Sequence, residues 1–495
     1  MKITSCLCLT GRYGLFMNAI FRRGDWSGWF LLYSAAVCGL WMWIFPVSGD
    51  GDAVMHFENF REGQSSVKSI LHPWARPLYA AVNIPASYLG MTASRLFHLG
   101  MALLMAWQTY LYARELRLKY AYFAIPFALL QPYALLLSGD TMTEIPYALL
   151  AIVALRCWHH GKYVCVSVLV GLSPLVRPEG FFLGLLFGLL LLTYRPTGIR
   201  LVRRWLILSL ASSGILIWLL AGRLWANDWL YVVHSWPWGD DLDYGAGSIF
   251  DYPLALPFII GLPFFIPWLM GTFSRPFEKK LIPNQVMWWM VFLVHTLLWA
   301  TGMMGSAGLL RIIACVTPFS AIICVKGWGV LIKNLERQES RILNNVKLSS
   351  ALFLLLAGGY GLAYNYILPH NHYGKVTYEL YEKLADHTDE APSIVSSDPA
   401  LYGLLDLDAF DKRLQSNFSY REGQLDLLAR QPKGTVCLWD DQRGASWHHV
   451  RCSDLEALGY EILHEYTGEV FPSYYWQAAP LRGVVAVKRT EAKLN

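Results

Sequence analysis

The first 368 residues carry apolar runs too long and too numerous to bury inside a water-soluble core. Trp29 to Val47 is the first of them, and a helix needs roughly 20 apolar residues to cross a bilayer. Ten more follow, near 93–113, 120–137, 142–158, 162–176, 180–194, 205–222, 252–273, 286–303, 307–332 and 348–368. We read each as a membrane span. Composition agrees, with only 16% charged residues against about 25% in soluble domains, and a mean hydropathy of +0.34. The 21 Trp, 27 Tyr and 24 Phe exclude a disordered chain, and nine Cys in 495 residues exclude a small disulfide scaffold. The expected fold class is an all-α polytopic membrane domain of about 11 transmembrane helices. Met1 to Trp29 lacks a short apolar core followed by a small-residue cleavage site, so no removable signal peptide is expected.

After Leu368 the pattern changes. Residues 369–495 hold 19 of the 36 acids and no long apolar run, which predicts a small soluble α/β domain there. Short β-rich runs at Ser393–Ser397, Thr435–Trp439 and Gly483–Val487 alternate with helical stretches at Tyr378–Ala385, Gly423–Arg430 and Ser453–Leu458. Such alternation predicts a parallel sheet.

Charge orients the chain. With the N-terminus inside and eleven alternating spans, inner segments collect 20 Lys and Arg, and outer segments before residue 369 collect seven. That is the positive-inside bias, and it places the C-terminal domain outside. The net charge of +5 is too mild to suggest a nucleic-acid partner. Acids run the other way: Asp50, Asp52, Glu58, Glu62, Asp140, Glu144, Glu179, Asp228, Asp240, Asp241, Asp243 and Asp251 fall on or near the outer face. Topology does not require this, because acids contribute little to orientation. It points to chemistry at the outer face.

Four clusters carry that chemistry. The first outer loop begins Gly49-Asp50-Gly51-Asp52 and runs on to His72-Pro73-Trp74-Ala75-Arg76-Pro77. A carboxylate just beyond a span, followed by the amphipathic stretch Ala53 to Leu71, can face a lipid-borne substrate as a general base. Asp52 as an N-cap of a surface helix is the blander reading. The Asp50-Gly51-Asp52 pair also has the oxygen donors that a divalent cation, Mg or Mn, takes. The second cluster is Asp140-Thr141-Met142-Thr143-Glu144. Helix capping explains Asp140, whereas Glu144 heads into lipid depth and needs a partner or water. The third, Arg177-Pro178-Glu179-Gly180, joins two short spans in a hairpin short enough to be partly re-entrant. It is read either as an internal Arg177–Glu179 pair or as a functional ionisable site. In the fourth, Gly305-Ser306-Ala307-Gly308-Leu309-Leu310-Arg311, small residues allow close helix packing and Arg311 falls about one turn into the tenth span. Snorkelling is one reading of Arg311 and phosphate binding the other, since the planar guanidinium donates bidentately.

Other signals are weaker. Trp225 to Tyr252 is aromatic and acidic, with His234 and a Gly-rich end (Gly245, Gly247) that suits a lid; an interfacial aromatic belt accounts for its Trp residues. Cys437 and Cys452 lie on the outer side, where a disulfide is permitted. The remaining Cys in or beside spans read as packing residues. Asn417-Phe418-Ser419 is a glycosylation sequon, meaningful in a eukaryotic host.

Acids after the first span, Asp140 with Glu144 after the third, Arg177-Pro178-Glu179-Gly180 and Gly308-Leu309-Leu310-Arg311 follow in order. In this combination, over about residues 29 to 332, the chain resembles the GT-C-type glycosyltransferases that use a polyprenyl-phosphate-linked sugar, a class including protein O-mannosyltransferases and the aminoarabinose transferases of lipid A. The resemblance implies a catalytic membrane domain over 1–368 and an extracytoplasmic domain over 369–495. It implies inverting transfer of a sugar, hexose- or mannose-like, from the lipid phosphate to an acceptor hydroxyl at the outer face. The acceptor, a glycan, lipid or protein, is not specified. Asp52 takes the role of general base, with Asp50 the competing candidate because the two acids are not adjacent here as they commonly are. Asp140 and Glu144 position substrate or base. Arg311 and Arg177, with Glu179 beside Arg177 and with Arg76 and His72 as further candidates, stabilise the departing phosphate, where fixed donors lower the barrier. A single lipid phosphate requires no metal. The expected location is a multi-pass protein of a bacterial inner membrane, with the endoplasmic reticulum as alternative. A transporter or flippase would instead carry midplane charges and often internal repeats, and neither is visible. A non-catalytic assembly protein acting through its C-terminal domain is a third reading.

Overall fold

A computed structural model describes residues 26–45, 51–193, 201–236, 246–274, 278–306, 308–337, 346–367, 379–397, 413, 424–441, 444–445, 449–470 and 479–490. Helices occupy all eleven apolar runs: α1 (Ser27–Ile44), then, after α2 (Gly51–Gly63), α3 (Val67–Leu71) and α4 (Pro77–Ser87), α5 (Met91–Glu115), α6 (Ala124–Leu129), α7 (Pro132–Leu137), α8 (Glu144–His159), α9 (Tyr163–Leu172), α10 (Gly180–Thr193), α11 (Leu201–Leu210), α12 (Ser213–Ala226), α13 (Asp251–Ile260), α14 (Leu262–Phe273), α15 (Ile282–Thr301), α16 (Thr317–Arg337) and α17 (Val346–Ile367). Among the described residues, three helical stretches are long and apolar enough to cross a membrane, Ser27–Ile44, Lys279–Thr301 and Leu310–Glu336. Two bent pairs, α11 with α12 and α13 with α14, raise that to five.

The interruptions have chemical causes. The third run breaks between α6 and α7 because Pro132 lacks an N–H and pushes Gln131 into extended backbone. Gln131 then uses its own amide to satisfy the Phe127 carbonyl at 2.6 Å. The turn of 107° between α13 and α14 sits at Gly261, whose φ of +89° and ψ of 130° are open to glycine and strained for other residues. The tenth run does not begin as an α-helix: Leu310–Val316 is a 3-10 segment, and α16 starts only at Thr317. Gly308 there packs against the indole of Trp299, near the end of α15.

One helix crossing is unusually close. A Cβ on Gly271 of α14 would run into the Ile323 carbonyl of α16, and one on Gly327 of α16 into the Pro267 carbonyl. Small residues let two backbones touch where lipid offers no hydrophobic drive for association. A large buried cluster spans Phe30 to Ala357, and two smaller ones lie within residues 380–487.

Beyond residue 379 the chain forms β1 (Ile394–Ser396), α18 (Gln424–Arg430), β2 (Val436–Asp440), α19 (Cys452–Ala457), β3 (Tyr460–Val470) and β4 (Ala479–Lys488). The sheet order is β1-β2-β4-β3. Only β1 and β2 are parallel; β4 runs antiparallel to both β2 and β3, so the sheet is mixed rather than the parallel sheet expected. The departure comes from β3, an edge strand on which Glu461 and Glu465 are both exposed. It pairs with its sequence neighbour β4 instead of crossing over through a helix. Cys437 and Cys452 are both unbonded and share one buried cluster. Asn417 lies outside the described residues.

Candidate active site

The predicted residues come together through pairing. Asp52 lies in the first turn of α2, its side chain 42% exposed, rather than serving as an N-cap. Its carboxylate forms an ion pair with the guanidinium of Arg311, in the 3-10 segment before α16. Arg311 is 4% exposed and also lies against the Met142 sulfur at 3.9 Å. The Thr141 hydroxyl donates to the Ala53 carbonyl, so the Ser138–Thr143 turn is stitched to the start of α2. Asp50 lies outside the described residues, as do Asp240, Asp241 and Asp243.

The second half of the cluster centres on Arg177, in the hairpin between α9 and α10. Its Nε and Nη2 donate to the two oxygens of Glu179 at 3.0 and 2.8 Å. Its Nη1 reaches Thr143 at 2.7 Å and Glu144 at 2.8 Å. His295 of α15 meets Glu179 at 3.1 Å, and the Tyr147 hydroxyl donates to the Glu179 carbonyl at 2.8 Å. Glu144, Arg177 and Glu179 are 2%, 7% and 4% exposed. A buried carboxylate without a cation would be costly, and here one guanidinium serves two. The internal pair read from the hairpin sequence is therefore present, and Arg177 also fastens the hairpin to the start of α8. Gly180 permits this tight return, since a Cβ there would collide with the Ser173–Pro174 backbone.

Asp140 is buried at 6% exposure, and its charge acts on Arg95, which donates to the Gly139 carbonyl at 2.8 Å and to Phe45 at 2.7 Å. Arg95 thus ties the end of α1 to the turn that carries Asp140. Arg76 is the link between the halves: Arg177, Glu179, Glu144 and Asp52 all act on it electrostatically. It sits just before Pro77 in left-handed backbone (φ 59°, ψ 86°) and donates to the Pro73 carbonyl at 2.8 Å. His72 belongs to the same turn, its Nδ1 accepting the Trp74 N–H at 3.2 Å. Farther along, His234 bonds Asp228 at 2.8 Å on an exposed surface. There the hydrogen bonds from His234 and from the Leu230 N–H hold the Asp228 carboxyl below its usual value. The Gly247 N–H donates to the Trp299 carbonyl at 3.1 Å, anchoring the end of the loop read as a lid.

Four residues at this cluster escape the sequence reading. His295 carried a signal, an ionisable group on an otherwise apolar helix. Arg95 was visible only as one more outer basic residue. Trp74 and His56 form a stacked pair, ring centroids 4.3 Å apart at 18°. The Tyr79 ring meets His56 edge-on at 5.3 Å. Burial, with the nearby charges of Arg76, Arg177 and His98, pushes the His56 imidazole well below its usual value and keeps it neutral. Among the described residues no three His, Cys, Asp or Glu gather as a cation site.

No family model and no curated protein matches the chain. Solved structures do. The crystal structure of ArnT from Cupriavidus metallidurans bound to undecaprenyl phosphate superposes with a TM-score of 0.57 at 13% identity, covering 95% of this chain and all of that one. ArnT from the same organism in the apo state gives 0.55 at 15% identity, covering 94% and 99%. The chain therefore shares, nearly end to end, the overall fold of ArnT.

Proposed function

We propose that this protein is a membrane glycosyltransferase that moves a sugar, hexose-like, from a polyprenyl-phosphate carrier to an acceptor hydroxyl at the outer membrane face, with inversion. The observation that carries the reading is the Asp52–Arg311 pair, a part-exposed carboxylate against a buried guanidinium. It lies in a fold shared with ArnT, one of whose structures holds undecaprenyl phosphate. In this reading eleven spans place the N-terminus in the cytoplasm of a bacterial inner membrane and residues 369–495 outside.

The donor phosphate takes the Arg311 guanidinium, with Arg76 as a second cation, and frees the Asp52 carboxylate for the acceptor. Asp52 then removes the acceptor hydroxyl proton as the oxygen attacks the anomeric carbon. The bond from that carbon to the phosphate oxygen breaks, and its electron pair leaves on the phosphate. Arginine donors fixed in a buried site offset this developing charge without reorganising. Arg177, with its donors engaged by Thr143, Glu144 and Glu179, acts as scaffold more than as phosphate ligand. Asp140 positions the turn beside Asp52.

The test follows transfer of labelled hexose from its polyprenyl phosphate into membrane acceptors by the purified, reconstituted protein. Asp52→Asn is expected to lower transfer by about 10²-fold or more, the range of general-base loss. Full activity in Asp52→Asn and Asp50→Asn, tested singly and together, would remove the mechanism. Lipid movement across vesicles without any glycosidic product would replace it with a flippase.

A further inference from the structure

We infer that His56, together with the buried Oε2 of Glu144, binds the sugar of the donor through its hydroxyl groups. The inference rests on the transferase reading and adds to it a sugar subsite distinct from the phosphate-binding arginines.

His56 lies four residues after Asp52 on α2, so the two side chains share one helix face. Its ring is 5% exposed and clamped between the Trp74 and Tyr79 rings. Neither aromatic satisfies it: the Tyr79 hydroxyl is committed to His98 at 2.9 Å, and His56 Nδ1 is buried with no hydrogen-bond partner among the described residues. Glu144 repeats the pattern. One oxygen takes Arg177, and Oε2 is buried with no partner among the described residues. Both belong to one neighbourhood, since Arg177, bonded to Glu144, also acts on His56, and Glu144 acts on Tyr79. Buried polar atoms are nearly always paired, so two such orphans, one on the helix face of the proposed base and one acting with it on Arg76, point to a ligand.

Their chemistry selects its class. A carboxylate oxygen only accepts, and a neutral imidazole has one acceptor and one donor nitrogen. A phosphate offers acceptors alone, so it can take the imidazole N–H but nothing from the Glu144 oxygen. A sugar hydroxyl is donor and acceptor together and fits both. The rigid aromatic clamp supplies what such a contact needs, a ring held in one orientation.

Binding of three probes to the full chain in nanodiscs tests this: undecaprenyl phosphate, undecaprenyl-phosphate mannose and undecaprenyl-phosphate glucose. The wild type is expected to bind one of the glycosylated lipids more tightly than the bare phosphate. His56→Phe, which keeps the stack and removes the nitrogens, is expected to lose that increment by about tenfold while holding bare-phosphate affinity within about twofold. His56→Asn, whose amide oxygen replaces Nδ1, is expected to restore most of it. The inference falls if His56→Phe keeps the increment, if it weakens all three probes alike, or if the wild type does not distinguish sugar from bare phosphate. Failure of the wild type to bind any of the three overturns the transferase reading itself.

Discussion

Asp52 and Arg311, 259 positions apart in sequence, close an ion pair between the first turn of α2 and the 3-10 segment that leads into α16. The two candidates for base and phosphate ligand therefore occupy each other. An incoming phosphate has to compete with Asp52 for the same guanidinium.

That competition gives the first prediction. Asp52→Asn should bind bare undecaprenyl phosphate more tightly than wild type, by about threefold to tenfold, because the rival charge is gone while the neutral amide remains. Titration in nanodiscs at low salt checks it. Unchanged or weaker binding would mean that the carboxylate assists the phosphate.

Arg177 makes a stability prediction. Arg177→Met leaves Glu144 and Glu179 buried with His295 as the remaining partner of the latter, and should cost about 3–5 kcal/mol. Adding Glu144→Gln and Glu179→Gln should recover much of the loss, since the stranded charges are then removed. Thermal unfolding in detergent reads both. A single variant as stable as the wild type would show that the cluster does not hold the hairpin.

His56 sets a pH dependence. Burial, then Arg76, Arg177 and His98, push its imidazole well below the usual value, so the folded state binds fewer protons than the unfolded chain. Stability contributed by the neutral ring is complete above about pH 6.5 and declines as pH falls below it. The drop in Tm between pH 7.5 and 5.5 should be smaller in His56→Asn than in wild type. Equal drops would place the acid sensitivity elsewhere.

Helix positions and the ionisable residues inside them were readable because lipid enforces both. A span must be apolar for about twenty residues, so Glu144, Arg177 and Arg311 stand out against their surroundings. The partners were not readable. Nothing local in Asp52-Ala53-Val54 says that Arg311 lies opposite, and Arg177 gives no sign that it reaches Thr143 as well as Glu179. The breaks at Gln131–Pro132 and Gly261 had local signals in their proline and glycine. The strand β3 had the reverse problem: an exposed edge carries charges and so reads as loop.

The turn at Arg76 sets durability against chemistry. An L-residue in left-handed backbone costs about 1–2 kcal/mol, and a following proline disfavours that geometry further. Glycine would relieve the strain, yet it would strip the loop of the cation on which both Asp52 and Glu144 act. Arg76→Gly and Arg76→Ala should lose lipid-phosphate affinity equally, with the glycine variant melting higher of the two. Position 76 would then be a place where selection for a sturdier protein runs directly against selection for a working one.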